Sequence, residues 1–532
     1  MSDRLRRVLA RLATPVVLSG ALIAGSGASI AEAGSESTYL VVYGSKSLPA
    51  GATNTIRAAN GTMVAAYPEI GVAVARSNNL SFSKQVKNDR NVAGVAATKR
   101  FATRLKKENP AEAAGAGEAA ESGDFASLKA RQWDMTQINA FAAQEITRGS
   151  RKVLVGDIDT GLDYTHPNLK NNIDFAASAS CVGGTANTAP SAWKDDDGHG
   201  THTAGTIAAG GMDGGILGVA PNVRIAAIKT GDPDGFFYPE AVVCAFMWAA
   251  SHHMDVTNNS YFADPWLYNC LNDPAQNTIY MAESRAIQYA IKKGVTVVVA
   301  AGNDIDDIGN PTFDNTSPDN LPTTVPPAPP IHRPVDRNCF VSPGMVSGVY
   351  TVSATSNLSQ LAWYSSYGMP WVQASAPGGD SRYFAKSADV PNGRVLSTWP
   401  AYLYDAFMAV PFRNPNRGVK ICGEEGQCAT YVYHMGTSMA APHVAGIAAL
   451  ITARFGHQDP ETMTQLLNAA TNPIACPATQ RVPRDASELG PDGKPAHCSG
   501  TLTYNSFFGH GQIDALKAVT GSTDENNDQN NE

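Results

Sequence analysis

The sequence predicts a doubly wound α/β domain with a mostly parallel sheet, preceded by a small α+β unit. Three observations predict it. From about Trp133 onward, short β-branched runs (residues 153–158, 225–229 and 295–301) alternate with helical stretches (239–252 and 281–293). That rhythm is the one that builds a parallel sheet covered by helices. Residues 38–99 form a separate block of shorter strand-like runs. Between the two, from Lys106 to about Ser127, the composition turns to Ala, Glu, Gly and Lys with no core-forming period.

Taken in order, residues 1–33 read as an export signal. Arg4, Arg6, Arg7 and Arg11 give a basic start, residues 15–24 are apolar, and Ala31-Glu32-Ala33 supplies an A-x-A cleavage pattern. No other segment approaches the ~20 apolar residues a spanning helix needs, so a secreted, extracellular chain is expected. Residues 34–103 hold strand-like runs at 38–43, 63–67, 70–76 and 92–98, with the second and third separated by Pro68-Glu69. Polar stretches after Pro49 and around 81–89 have room for two helices. The resulting order, β-α-β-β-α-β, is the ferredoxin-like arrangement. Residues 104–130 are expected to be a flexible linker, 131–519 the large domain and 520–532 an acidic disordered tail. Two stretches interrupt the large domain: a Pro-rich segment at 311–334, expected to be a surface loop, and 400–432, which carries Cys422 and Cys428.

Composition narrows the function classes. At 532 residues and 43% hydrophobic content the chain can bury a substantial core. A net charge of -8 excludes a general nucleic-acid binder, which needs clustered positive charge. The eight cysteines are an even number in a chain with an export signal, which predicts disulfides. Proximity alone favours Cys422–Cys428 and Cys476–Cys498. No C-x-x-C pair supports a thiolate zinc site.

Three segments carry chemistry. In Val153-Leu-Val-Gly-Asp-Ile-Asp-Thr-Gly161 an apolar strand ends at Asp159, where Gly161 allows a sharp turn. Functional groups collect at the carboxyl ends of such strands, and Asp157, on the same strand face, is a rival. D-T-G alone also fits an aspartic peptidase, but that would need a second copy, and none is present. In Asp197-Gly-His-Gly-Thr-His-Thr-Ala-Gly205 small residues open the approach to His199. His202 raises a zinc reading, yet H-G-T-H lacks the Glu of H-E-x-x-H, and a structural role is expected for it. In Gly436-Thr-Ser-Met-Ala-Ala-Pro-His-Val-Ala-Gly446 a buried helix is expected to begin near Ser438, with Pro442 in its first turn. A serine there has its own N–H and the positive helix end beside it, which favours an oxyanion. The order Asp, His, Ser and the missing G-x-S-x-G exclude an α/β-hydrolase elbow.

Together these segments resemble the three signatures of the subtilases, the subtilisin-like serine peptidases, and the resemblance covers residues 131–519. It implies a subtilisin-like fold and a serine endopeptidase with Ser438 as nucleophile, His199 as base and acid, and Asp159 orienting the imidazole. It implies that Asn303, in Val297-Val-Val-Ala-Ala-Gly-Asn303, donates to the oxyanion. Residues 34–103 resemble the family's inhibitory propeptide, with maturation expected in the linker. Ser260 and Tyr261 fall where the family lines its substrate cleft, and Asp195–Asp197 are either a selector of basic substrate side chains or a solvated acidic loop. No cofactor is required for the implied catalysis. A structural calcium ion is an expectation weakened by Asn168, which stands where many relatives have an aspartate, with Gly211-Met-Asp-Gly at the second place. The implied partners are polypeptide substrates and the chain's own propeptide, with a monomeric enzyme expected. The competing reading is a catalytically silent peptide-binding protein that keeps the fold.

Overall fold

The computed structural model describes residues 36–98, 128–210, 212–263, 265–317, 332–409, 417–422, 428–479 and 481–521. The expected export signal, nearly all of the linker and tail, and the middle of the Pro-rich stretch lie outside them.

The first unit contains β1 (Ser37–Tyr43), α1 (Ala52–Ala58), β2 (Thr62–Tyr67), β3 (Val72–Ser77), α2 (Phe82–Val86) and β4 (Val92–Ala97). Its antiparallel sheet has the order β2-β3-β1-β4, which is the ferredoxin-like topology. Alternation along the strands sorts two apolar sets. Tyr39, Val41 and Tyr43 pack with Ile56, Phe82 and Val86 of the unit's own helices. Leu40, Val42, Val72 and Val74 face the opposite way. The third strand starts later than its apolar run, because Pro68–Ile70 forms a 3₁₀ turn closed by Gly71 at φ 64.

The second unit begins with α3 (Trp133–Gln137) and α4 (Ala140–Gln144), followed by β5 (Leu154–Asp159), β6 (Ala179–Ser180), α5 (His199–Ala208) and β7 (Arg224–Lys229). It continues through α6 (Pro239–Ser251), β8 (Val256–Asn259), β9 (Asn269–Cys270), α7 (Pro274–Lys292) and β10 (Thr296–Ala300). Helix α7 starts seven residues before its clearest apolar period. Asp273 accepts hydrogen bonds from the N–H groups of Ala275 and Gln276, and Pro274 occupies the first turn. Short strands β11 (Phe313–Asp314) and β12 (Arg333–Pro334) pair the two ends of the Pro-rich stretch, and β13 (Cys339–Phe340) pairs with β9. Then come β14 (Tyr350–Thr355), β15 (Val372–Pro377), β16 (Val395–Trp399), α8 (Ala401–Met408), β17 (Gly418–Cys422) and β18 (Cys428–His434). The chain closes with α9 (Thr437–Phe455), α10 (Pro460–Ala469), β19 (Thr471–Asn472), β20 (Gln512–Ile513) and α11 (Ala515–Thr520).

The main sheet has the order β19-β20-β15-β14-β10-β8-β5-β7-β6 and is parallel apart from β19. Its central strands are buried on both faces, as the β-branched run Val297–Val298–Val299 requires. Each such side chain contributes about 1.5–3 kcal/mol by leaving water. Helices α6 and α7 cover one face. Helix α9, buried from Thr437 to Thr452, covers the other. In-register pairing of β5, β8 and β10 brings Asp159, Asn259 and Ala300 to one edge.

The first unit lays Leu40, Val42, Val72 and Val74 against Val242, Val243 and Phe246 of α6 and Ala286 of α7. Arg285 on α7 donates to the carbonyls of Tyr43 (2.7 Å) and Ile70 (3.1 Å), and the Tyr67 hydroxyl donates to Gly184 O (2.8 Å). All eight cysteines are paired: Cys181–Cys244, Cys270–Cys339, and the two pairs expected from proximity, Cys422–Cys428 and Cys476–Cys498.

Candidate active site

Strand β5 delivers Asp159 to the sheet edge with no exposed surface, and α5 begins at His199. The two side chains meet, with His199 Nδ1 2.8 Å from Asp159 Oδ1 and 3.0 Å from Oδ2. Glycines permit this approach. Gly161 turns at φ 108, and a Cβ on Gly200 would stand 2.2 Å from the Gly161 carbonyl oxygen. Thr160 ties the junction, its N–H donating to Asp159 (2.7 Å) and its Oγ1 accepting from Gly200 N (2.9 Å). Burial alone would lower the His199 pKa, but the carboxylates of Asp159, then Asp197 and Asp157, outweigh it and raise it to about 9.

Asp157, the rival carboxylate, points elsewhere. It accepts from Thr203 Oγ1 on α5 (2.8 Å) and Asn258 Nδ2 on β8 (2.9 Å), and burial followed by the charge of Asp159 pushes its pKa well up. It braces helix to sheet. His202 turns its Nε2 to the Val432 carbonyl (3.0 Å), and burial, reinforced by His434, pushes its pKa well down, so it stays neutral. That is the structural role expected of it.

The acidic run before His199 is a solvated loop only in part, with Asp196 exposed and Asp197 half-buried. Asp195 is buried and accepts from Thr160 Oγ1, Gly198 N, and the N–H and hydroxyl of Thr201. Asp196 pairs with the buried Lys229, whose ammonium also donates to Thr160 O (2.6 Å). These two carboxylates hold the loop around Thr160 together, Asp195 from within and Asp196 from the solvent side.

Ser438 is the second residue of α9 and 6% exposed. Its hydroxyl donates to Ser260 O (3.1 Å), while the Ser260 hydroxyl donates to Ser438 O (3.0 Å). The second bond has a specific cause. In a helix the Ser438 carbonyl would accept from the N–H of residue 442, which is a proline. Helix α9 starts at Thr437, so Pro442 lies beyond the first turn where it was expected, and Ser260 supplies the missing donor. The segment leading to Ser438 also lies against His199, for the His434 and His199 rings are 6.4 Å apart, edge to face.

Asn303 follows β10. Its Oδ1 accepts from Thr437 N (2.9 Å) and Thr437 Oγ1 (3.0 Å), so the amide end is the one available to donate. A Cβ on Gly436 (φ 155) would lie 3.6 Å from Ser438 N and 3.7 Å from Asn303 Nδ2. Both ends of the Asn303 amide and the Ser438 nitrogen thus lie within 4 Å of that one position. The sequence reading missed Thr437 as the group that orients Asn303; its place between the helix cap and Ser438 was the available signal.

Tyr261 is a correction. It stacks on Phe237 in the core with centroids 4.3 Å apart and rings 3° from parallel, and it is only 5% exposed. Ser260 faces α9, so its neighbour is turned to the opposite side of the sheet. Ser260 itself braces Ser438 and is almost wholly buried. At the expected calcium position Asn168 is engaged by protein groups alone. It donates to Ile216 O (3.1 Å) and accepts from the Tyr431 hydroxyl (2.9 Å). Among the described residues no group of three or more His, Cys, Asp or Glu is placed to hold a metal.

A buried carboxylate–imidazole pair, a serine in the first turn of a helix and an anchored asparagine amide lie at the carboxyl edge of a parallel sheet, the groups that serine-hydrolase chemistry calls for. A sequence model of the subtilase family matches residues 150–511, more than half of the chain, and the chain belongs to that family of serine peptidases. It is 31% identical over 304 residues to subtilisin DY of Bacillus licheniformis, covering 57% of this chain and 77% of that protein. It is 28% identical to the thermophilic serine proteinase of Bacillus sp. (strain AK1), covering 71% of this chain but just 64% of that longer protein. Among solved structures, the epidermin leader peptide processing serine protease of Staphylococcus aureus shares the fold. Its TM-score is 0.59 at 24% identity, and the match covers 91% of this chain and 98% of that one.

Proposed function

We propose that the chain is a secreted serine endopeptidase made as a self-inhibited precursor. The observation that carries the reading is the buried Asp159–His199 pair at 2.8 Å, set beside a serine whose helix start and neighbouring amide can both stabilise an oxyanion. In this reading Ser438 Oγ attacks the peptide carbonyl as His199 takes its proton. Asp159 holds the imidazole and stabilises its charged form. Ser438 N–H and Asn303 Nδ2 receive the charge that develops on the carbonyl oxygen. The imidazolium then protonates the leaving amine, and water repeats the sequence on the acyl-enzyme.

The self-inhibition reading is supported by the seating of the first unit on α6 and α7 through one apolar face and Arg285. The linker expected to be cut is the 104–130 segment. Secretion is supported by the basic-then-apolar start of the sequence and by four disulfides. Hydrolysis of a fluorogenic peptide, abolished by a serine-reactive sulfonyl fluoride and absent in Ser438→Ala, is the expected result. Peptide binding without turnover would instead favour the silent binding protein. Purified Ser438→Ala precursor should keep its first unit attached, and its maturation in isolation would remove self-processing from the reading.

A further inference from the structure

The opening of α9 lacks one of its own hydrogen bonds. Pro442 has no N–H to give the Ser438 carbonyl, and Ser260 supplies that donor from the sheet. The next carbonyl along the turn, that of Met439, is also met by a side chain. His443 brings its Nδ1 to 2.7 Å from Met439 O. A carbonyl only accepts, so Nδ1 carries a proton.

His443 Nε2 in turn lies 3.0 Å from Asp134 Oδ2 on α3. Asp134 is 1% exposed and His443 is wholly buried. Among the described residues the other oxygen, Asp134 Oδ1, has no hydrogen-bond partner, so the imidazole is the group this buried carboxyl holds. Nε2 donates to an ionised carboxyl or accepts from a protonated one, and an amide in its place could donate as well. This second Asp–His pair is separate from Asp159 and His199, which meet each other.

Helix α3 meets the same turn a second time. Trp133 packs with Met439, Val390 and Val395, and its indole N–H donates to Arg394 O (2.9 Å). Gln132, just before it, exchanges two hydrogen bonds with the backbone of Leu217, giving Nε2–H to the carbonyl (2.7 Å) and accepting the N–H on Oε1 (2.9 Å). Consecutive side chains thus anchor α3 and join it to Met439, the residue after Ser438.

We propose that Asp134 is a positioning residue for the nucleophile: acting through His443 on the Met439 carbonyl, it holds the first turn of α9 so that the Ser438 hydroxyl and N–H keep the places that acyl transfer needs. The proposal rests on the serine-endopeptidase reading. With residue 442 unable to donate, Ser260 on one side and the Asp134–His443 pair on the other stiffen a turn whose own ladder is incomplete. Misplacing a reacting group by about 1 Å costs about 100-fold in rate, so a tether that touches no substrate still acts on turnover. The chain order also limits maturation. The expected cleavage segment, residues 104–130, ends before Gln132, so a cut within it leaves the tether whole, whereas a cut past Asp134 would remove it.

The test is kcat and KM of the matured protein and its variants on one fluorogenic peptide, with active sites counted by complete reaction with a labelled sulfonyl fluoride. Asp134→Ala should lower kcat per site by about 10- to 100-fold while KM stays within about 2-fold. Asp134→Asn, whose amide can donate to His443 Nε2, should stay within about 3-fold of the wild-type kcat. His443→Ala should lose about as much as Asp134→Ala, and the double variant little more than either, because the two act as one unit. If Asp134→Ala does not fold, Asp134→Ser takes its place with the same expected loss. A role in folding alone would lower the melting temperature and the number of titrated sites but leave kcat per site at the wild-type level. That result overturns the proposal, and so does an Asp134→Asn variant that falls as far as Asp134→Ala. If the wild-type protein neither cuts the peptide nor reacts with the sulfonyl fluoride, the endopeptidase reading itself fails. If it does both and Asp134→Ala matches its kcat, the tether alone fails.

Discussion

Ser260 and Ser438 hold each other by two reciprocal hydrogen bonds, hydroxyl to carbonyl in each direction. One of them replaces the helical bond that Pro442 cannot make. In a Ser438→Ala background, which prevents self-digestion and keeps that backbone carbonyl, Ser260→Ala should lower stability by about 1–3 kcal/mol, because the buried acceptor loses its donor. Pro442→Ala restores an N–H at residue 442. The cost of Ser260→Ala should therefore shrink when Pro442→Ala is present, a coupling that chemical denaturation of the four combinations would read. Equal costs in both backgrounds would mean that Pro442 is not the reason for the bond.

The two donors beside Gly436 imply a ranking of losses. Subtilisin's own measured losses set the scale: about 10⁶ in turnover without the nucleophile and about 10²–10³ without the oxyanion amide. Ser438→Ala should therefore be far worse than Asn303→Ala in kcat. Thr437→Val should fall between Asn303→Ala and wild type, because it removes one of the two anchors on Asn303 Oδ1 while keeping the N–H. Similar kcat values for Ser438→Ala and Asn303→Ala would overturn the role assignments.

The carboxylates around His199 set the pH dependence. The imidazole must be neutral to accept the Ser438 proton, so kcat/KM should rise with pH, with a midpoint displaced from 6.5 toward about 9. Asp197→Asn removes one raising charge and should move the midpoint down. The same shift stabilises the fold below pH 6.5, and that stabilisation is lost as pH climbs through about 9. A pH–rate profile of both proteins decides it, and an unmoved midpoint in Asp197→Asn would be the contrary result.

Asp157 and Asp159 sit two residues apart, yet their substitutions should behave in opposite ways. Asp159→Asn leaves the imidazole wrongly oriented and should cost about 10⁴ in kcat. Asp157, its pKa raised by burial and by the charge of Asp159, holds its proton up to higher pH, so Asp157→Asn should retain most activity. Between the ordinary carboxylate value of 3.8 and that raised pKa, the native protein loses stability as pH rises, a loss that the amide variant avoids. Thermal unfolding of both variants across pH, beside kcat, would separate the two roles.

How far the sequence could be read depended on how local each cause was. The order of strands and helices in both units followed from periodicity, and Asp159, His199, Ser438 and Asn303 could be picked out because each sits in a short motif. The cap at Asp273 is also local, but the apolar period of α7 drew the boundary to residue 281 instead. Tyr261 was misplaced because its neighbours do not reveal that Ser260 is the residue facing α9. Asp195 was misread because its partners, Thr160 and Thr201, belong to two elements that meet only after folding.

Every covalent cross-link lies at or after Cys181 in a chain whose first unit contains no cysteine. Once the backbone is severed between Thr98 and Leu128, the amino-terminal sheet is attached by noncovalent contacts alone, among them its apolar packing and the hydrogen bonds of Tyr67 and Arg285. Its departure then needs no reductant and no second bond scission. Dilution, or digestion of whatever fraction has already come loose, is sufficient to make the release one-way.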